Sequence, residues 1–171
     1  DGWRTLAVLL MIPWHFLWDL TLLGLLPERF ASSLGMELWR GVIAYSFVLL
    51  AGISCRYSRS NLRRALRLAL WAAAVSLATW MIGDPVKFGI LHFMAAAVFL
   101  WGLLGEGLDR VSPRAGMFTA AAVFLPLQLW LRDFRISVPG LWALGFRRAD
   151  FYSADYYPLL PWFFLFLAGA Y

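Results

Sequence analysis

The sequence predicts an all-α, polytopic transmembrane helical bundle of about six spans. Apolar residues make up 62% and aromatics 18% of the chain, with a mean hydropathy of +0.70, which leaves too little polar surface to coat a water-soluble globule. The apolar runs are continuous and of helix length. Membrane β-barrels need short segments of alternating polarity, so helices must satisfy the backbone in lipid here. The net charge of +5 comes almost wholly from arginine, with one lysine at Lys87. It gathers beside the apolar runs as helix anchors and forms no nucleic-acid-binding face.

The first segment, Trp3 to Leu26, is longer than a signal-peptide core and has no small-residue cleavage site behind it, so it stays in the membrane as a helix. The second, Gly41 to Cys55, is short; Arg40 and Arg56 extend it by snorkelling toward opposite interfaces. Ala65 to Ile82, Val86 to Gly105 and Ala115 to Leu131 each approach the length needed to cross ~30 Å of hydrocarbon. The sixth, Leu159 to Tyr171, stops where the sequence stops. One transmembrane domain over residues 1–171 is therefore expected, with further C-terminal helices missing from it.

The connection Arg56 to Arg67 holds Arg56, Arg59, Arg63, Arg64 and Arg67 between two spans, which places it, and the N-terminus with it, in the cytoplasm. The opposite connection, Arg132 to Tyr157, mixes arginines with Trp142, Phe146, Phe151, Tyr152, Tyr156 and Tyr157. That composition suits the headgroup region, where the segment either roofs a cavity or serves as an interfacial anchor.

Ionisable groups are costly in a bilayer, so those on the first segment are candidate functional residues. Arg4, His15 and Asp19 are separated by offsets of eleven and four residues, which at 3.6 residues per turn keeps them on one stripe. Counted inward from Leu26 and Val86 at ~1.5 Å per residue, Asp19 lies roughly 10 Å and His92 roughly 9 Å deep. His15, Asp19 and His92 are therefore expected around one outward-opening polar cavity, their side chains within ~12 Å of one another. A neutral imidazole is a general base or a nucleophile near neutral pH, and a carboxylate such as Asp19 orients it. The structural alternatives are a hydrogen-bonded core histidine, a packing acceptor at Asp19 and an interfacial anchor at Arg4, with Asp1 as a helical ion-pair partner for Arg4. Cys55 is the only cysteine, and no Cys/His cluster suggests a metal.

The stretch Asp1-Gly2-Trp3-Arg4 followed by His15 resembles the opening of transmembrane acyltransferases. One similarity is to the acyltransferase-3 family. A closer one is to short bacterial members of the heparan-alpha-glucosaminide N-acetyltransferase catalytic-domain family. It is carried by MIPWHFLWDL (Met11 to Leu20), FVLLAGISCRYS (Phe47 to Ser58), FGILHF (Phe88 to Phe93) and DYYPLLPWFFLFLAG (Asp155 to Gly169). The resemblance implies a protein of the bacterial inner membrane that moves an acyl group, acetyl above all, from cytoplasmic acyl-CoA to an amine or hydroxyl, commonly of a sugar or glycan, presented from the other side. Arg4, Arg63, Arg64 and Arg67 would hold the CoA phosphates, and His15, Asp19 and His92 would serve the chemistry. Direct attack on the thioester and an acyl-histidine intermediate both stay open. No metal is expected, and a homo-oligomer is compatible with the sequence.

Two other classes compete. Histidines on different membrane helices are what bis-histidine haem ligation requires, although Asp19 and Arg4 would then be unexplained. A transporter or lipid-binding scaffold would use the polar stripe as a path, but no broken-helix pair or inverted repeat supports it.

Overall fold

The computed structural model describes residues 2–136 and 138–171; Asp1, the expected ion-pair partner of Arg4, lies outside them. The described residues form helices and no strand: α1 (Gly2–Leu22), α2 (Glu28–Ala31), α3 (Leu34–Arg56), α4 (Asn61–Met81), α5 (Ile90–Leu108), α6 (Pro113–Asp133) and α7 (Leu159–Ala170), with a 3-10 turn at Leu141–Leu144. The protein is therefore an all-α membrane bundle. α1, α3, α5 and α6 are long and apolar enough to cross a membrane. α4 matches them with 21 residues but carries Arg63, Arg64 and Arg67 in its first two turns, and α7 is a shorter apolar helix of 12 residues.

Several boundaries differ from expectation for local reasons. α1 ends at Leu22 because the Leu25 and Leu26 amides turn back onto the Leu20 carbonyl. α3 begins at Leu34, not Gly41: Glu37 and Arg40 interrupt the hydropathy but are good helix formers. α5 begins at Ile90, not Val86, because residues 85–89 bond to other segments. At α6, the Ser112 hydroxyl accepts from the Ala115 amide at 3.4 Å and Pro113 occupies the first helical position, two complementary start signals.

The chain forms two compact units, residues 1–50 and 51–171, and the boundary falls inside α3. In the first, α1 contacts α2, and the Trp14 indole donates to the Met36 carbonyl at 3.1 Å, tying α1 to α3. Most of α1 is exposed, including Trp3, Leu9, Ile12, Phe16 and Leu22, the composition of a lipid-facing surface.

In the second unit α4 packs along α5, α6 along α7, and α7 also meets α5. Its core is built on Phe93, Val98, Trp101, Phe124, Trp162 and Phe166, with Phe124 and Trp162 edge to face at 5.8 Å. Gly52 lets the end of α3 lie against the α7 backbone: a Cβ there would come within 2.1 Å of the Phe166 carbonyl oxygen. Beyond it, Arg56 donates through Nε to the Ala170 carbonyl and through Nη1 to Asp109 at 2.9 Å, and its guanidinium lies over the Trp101 and Tyr171 rings. Arg56, expected to extend α3 toward an interface, ties the ends of α3, α5 and α7 together.

Candidate active site

Residues 85–90 link α4 to α5, and partners from α4 and from the α6–α7 connection hold six of their backbone polar groups. Thr79 Oγ1 accepts from the Val86 amide at 3.0 Å, and Ser76 Oγ donates to the Val86 carbonyl at 2.6 Å. Ser153 Oγ accepts from the Lys87 amide at 3.0 Å, the Tyr157 amide donates to the Phe88 carbonyl at 2.9 Å, and the Ala154 amide donates to the Pro85 carbonyl at 3.3 Å. Asp155 Oδ2 then accepts from the Ile90 amide at 2.8 Å, capping α5 with a carboxylate where the helix dipole favours negative charge. Gly89 makes this approach possible, since a Cβ on it would come within 2.4 Å of the same oxygen.

His92 stands two residues into the helix that this clamp fixes. Its Nε2 lies 2.9 Å from Ser76 Oγ, and its Nδ1 is buried with no hydrogen-bond partner. Because α5 starts at Ile90, His92 is in the first turn, closer to its helix end than the count from Val86 gave. The Phe88 ring packs on the imidazole at 5.8 Å and on Trp142 at 6.0 Å. From Trp142 the aromatic contacts continue through Phe151, stacked at 5.9 Å, to Tyr156 at 5.0 Å.

The connection from α6 to α7 is thus folded over the His92 end of the unit. The Tyr156 hydroxyl donates to the Trp142 carbonyl at 2.6 Å, and Arg147 lies over its ring at 5.3 Å. Burial pushes the Tyr156 phenol up to about 12, against the pull of Arg147 and Arg135. Burial, and Arg135 beside it, lower Arg147 from its usual value. Arg135 and Arg147 both donate to the Arg132 carbonyl, at 2.9 and 2.7 Å, so cations satisfy the C-terminal end of α6. Tyr152 donates to Asp84 at 2.7 Å, and that bond to a carboxylate raises its phenol above the usual value.

In the first unit His15 and Asp19 are one turn apart on α1, both exposed, with the Trp14 ring edge-on to the imidazole at 5.1 Å. Arg4 is exposed near the start of the same helix. Trp14 and Trp18, stacked at 5.6 Å, run beside the His15 stripe and line a cavity of about 470 Å³ with Met36, Glu37 and Arg40. The expected grouping of His15 and Asp19 with His92 joins residues of different units.

At the opposite end of the second unit, Arg63 and Arg67 are exposed one turn apart on α4, whereas Arg64 turns inward, its Nη1 3.7 Å from Cys55 Sγ. Beside them lies a cavity of about 420 Å³ bordered by Arg56, Arg59, Asn61, Trp101, Glu106 and Asp109. Among the described residues no group of three or more His, Cys, Asp or Glu side chains is placed to hold a metal ion.

Sequence reasoning did not single out Ser76 or Thr79. A lone hydroxyl in an apolar helix reads as a packing residue, and only their one-turn spacing, as a pair facing the α4–α5 connection, hinted otherwise. Asp155 begins the stretch DYYPLLPWFFLFLAG, but its capping role depends on a partner 65 residues away.

A family model described as heparan-alpha-glucosaminide N-acetyltransferase, catalytic, matches residues 1–171. No curated protein and no solved structure matches the chain.

Proposed function

The chain belongs to the heparan-alpha-glucosaminide N-acetyltransferase catalytic-domain family, a family of membrane acetyltransferases, and from that premise we propose that it moves an acetyl group from cytoplasmic acetyl-CoA to an amine or hydroxyl of a sugar presented at the opposite face. The family match over residues 1–171 carries this reading. The layout of the second unit supports it, with exposed arginines at one end of α4 and a fixed imidazole near the other. From Arg67 to Ser76 the helix rises ~14 Å, a span suited to the slender arm of coenzyme A if Arg63 and Arg67 hold its phosphates. Arg4 and Arg64 are further phosphate-binding candidates.

The proton is handled by imidazole. As the acceptor nitrogen or oxygen attacks the thioester carbonyl, a histidine removes its proton; the new C–N or C–O bond forms, the C–S bond breaks, and the electron pair leaves on the CoA sulfur. The imidazolium returns the proton to that thiolate. We assign proton handling to His15, with Asp19 one turn away to stabilise its charged form, and to His92, each on its own unit.

Acetyl-CoA carrying a labelled acetyl group, given to the protein reconstituted in lipid vesicles with glucosamine as acceptor, tests this reading. Labelled N-acetylglucosamine should accumulate, and no label should stay on the protein when glucosamine is omitted. Absence of transfer overturns the acetyltransferase reading, and stable labelling of a histidine overturns direct transfer.

A further inference from the structure

The hydroxyl of Ser76 has a single hydrogen and two neighbours that could take it, the Val86 carbonyl at 2.6 Å and His92 Nε2 at 2.9 Å. The carbonyl has the stronger claim. In a continuous helix the Ile90 amide would bond the Val86 carbonyl, but that amide is held by Asp155 at 2.8 Å. Val86 is also buried, so losing the Ser76 hydrogen would cost its carbonyl a partner that water does not readily replace. With its hydrogen committed, Ser76 Oγ can meet Nε2 only as an acceptor, and Nε2 must carry the ring proton. Nδ1, buried with no partner, is then the unprotonated atom; a hydrogen there would be a buried donor without an acceptor.

We propose that Ser76 is a positioning residue that holds His92 in the Nε2–H tautomer and leaves Nδ1 as the atom that takes a proton. This deepens the function proposed above and rests on the reading of His92 as a proton-handling residue. Thr79, one turn further along α4, holds the Val86 amide while Ser76 holds its carbonyl, so one face of α4 sets both the loop and the ring. A histidine kept only for packing has no need of a defined bare nitrogen, whereas a base does.

The test is nitrogen magnetic resonance on the full chain in lipid nanodiscs, with isotope-labelled histidine. The chain has two histidines, and His15→Gln assigns their signals. His92 should show a protonated Nε2 and a bare Nδ1. Ser76→Ala should bring in the Nδ1–H tautomer, and Ser76→Thr, which keeps the hydroxyl, should restore the original spectrum. A wild-type His92 protonated at Nδ1, or a spectrum unmoved by Ser76→Ala, overturns the proposal, and the wild-type spectrum decides even if the alanine variant does not fold. Acetyl transfer is measured alongside: Ser76→Ala should lower it about tenfold, a part of the ~10²–10⁴ that a positioned base contributes, and Ser76→Thr should recover most of it. Should the tautomer shift while transfer stays at the wild-type rate, Ser76's hold on the ring stands, and it is His92's part in the chemistry that falls.

Discussion

Asp155 caps α5 by accepting the Ile90 amide at 2.8 Å, a bond between residues 65 apart in the chain. A side-chain cap contributes about 1 kcal/mol, and a carboxylate at a partly buried helix start adds charge–dipole attraction of up to ~1 kcal/mol. Asp155→Ala should therefore lower stability by about 1–2 kcal/mol, and Asp155→Asn, which keeps an oxygen acceptor, should recover part of it. Chemical unfolding in detergent measures both. Equal stability of wild type and the alanine variant would remove the cap.

Gly89 and Asp155 act as one device, since a Cβ at residue 89 would meet Asp155 Oδ2 at 2.4 Å. Gly89→Ala should expel the carboxylate and cost about as much as losing the cap. The double variant Gly89→Ala with Asp155→Ala should then be far less unstable than the sum of the two, an interaction of about 1 kcal/mol in a double-mutant cycle. Strict additivity would mean the two positions act separately.

Arg56 and Asp109 form an ion pair at 2.9 Å, but their side chains are 32% and 50% exposed, so the pair contributes little, about 0–1 kcal/mol. The same guanidinium also serves the Ala170 carbonyl and lies over Trp101 and Tyr171. Asp109→Asn should thus cost under about 1 kcal/mol and Arg56→Ala about 2 kcal/mol or more, with Arg56→Lys little better because an ammonium lacks the planar fork. Thermal unfolding of the three variants checks the order; Asp109→Asn as damaging as Arg56→Ala would contradict it.

The six longer helices were legible as apolar runs, whereas the four-residue α2, with Glu28 and Arg29 in it, was not; the class followed from composition alone. Helix starts were not. Glu37 and Arg40 concealed the first turns of α3, and the apolar residues Val86 and Phe88 read as helix although their backbone bonds go to Ser76, Thr79 and Tyr157. The candidate histidines could be chosen from the sequence because an ionisable group in an apolar run is conspicuous. Ser76 could not, since its role follows from two distances that no spacing encodes.

Tyr156 gives the α6–α7 connection a pH limit. Its phenol is raised from the usual 10 to about 12, so the folded state favours the neutral form. That contribution to stability is complete below pH 10 and is lost as pH rises from 10 toward 12. Ultraviolet titration should show a phenol component near pH 12, and Tyr156→Phe should remove that component. A late component that survives in the variant would assign it to another tyrosine.

Acetyl transfer by reconstituted protein with His15→Gln and His92→Gln, beside the wild type and with folding verified by helical content, tests the central claim most directly. Loss of a proton-handling imidazole should lower the rate by about 10²-fold or more in each variant. Wild-type rates in both folded variants would contradict the account and place the chemistry elsewhere in the chain.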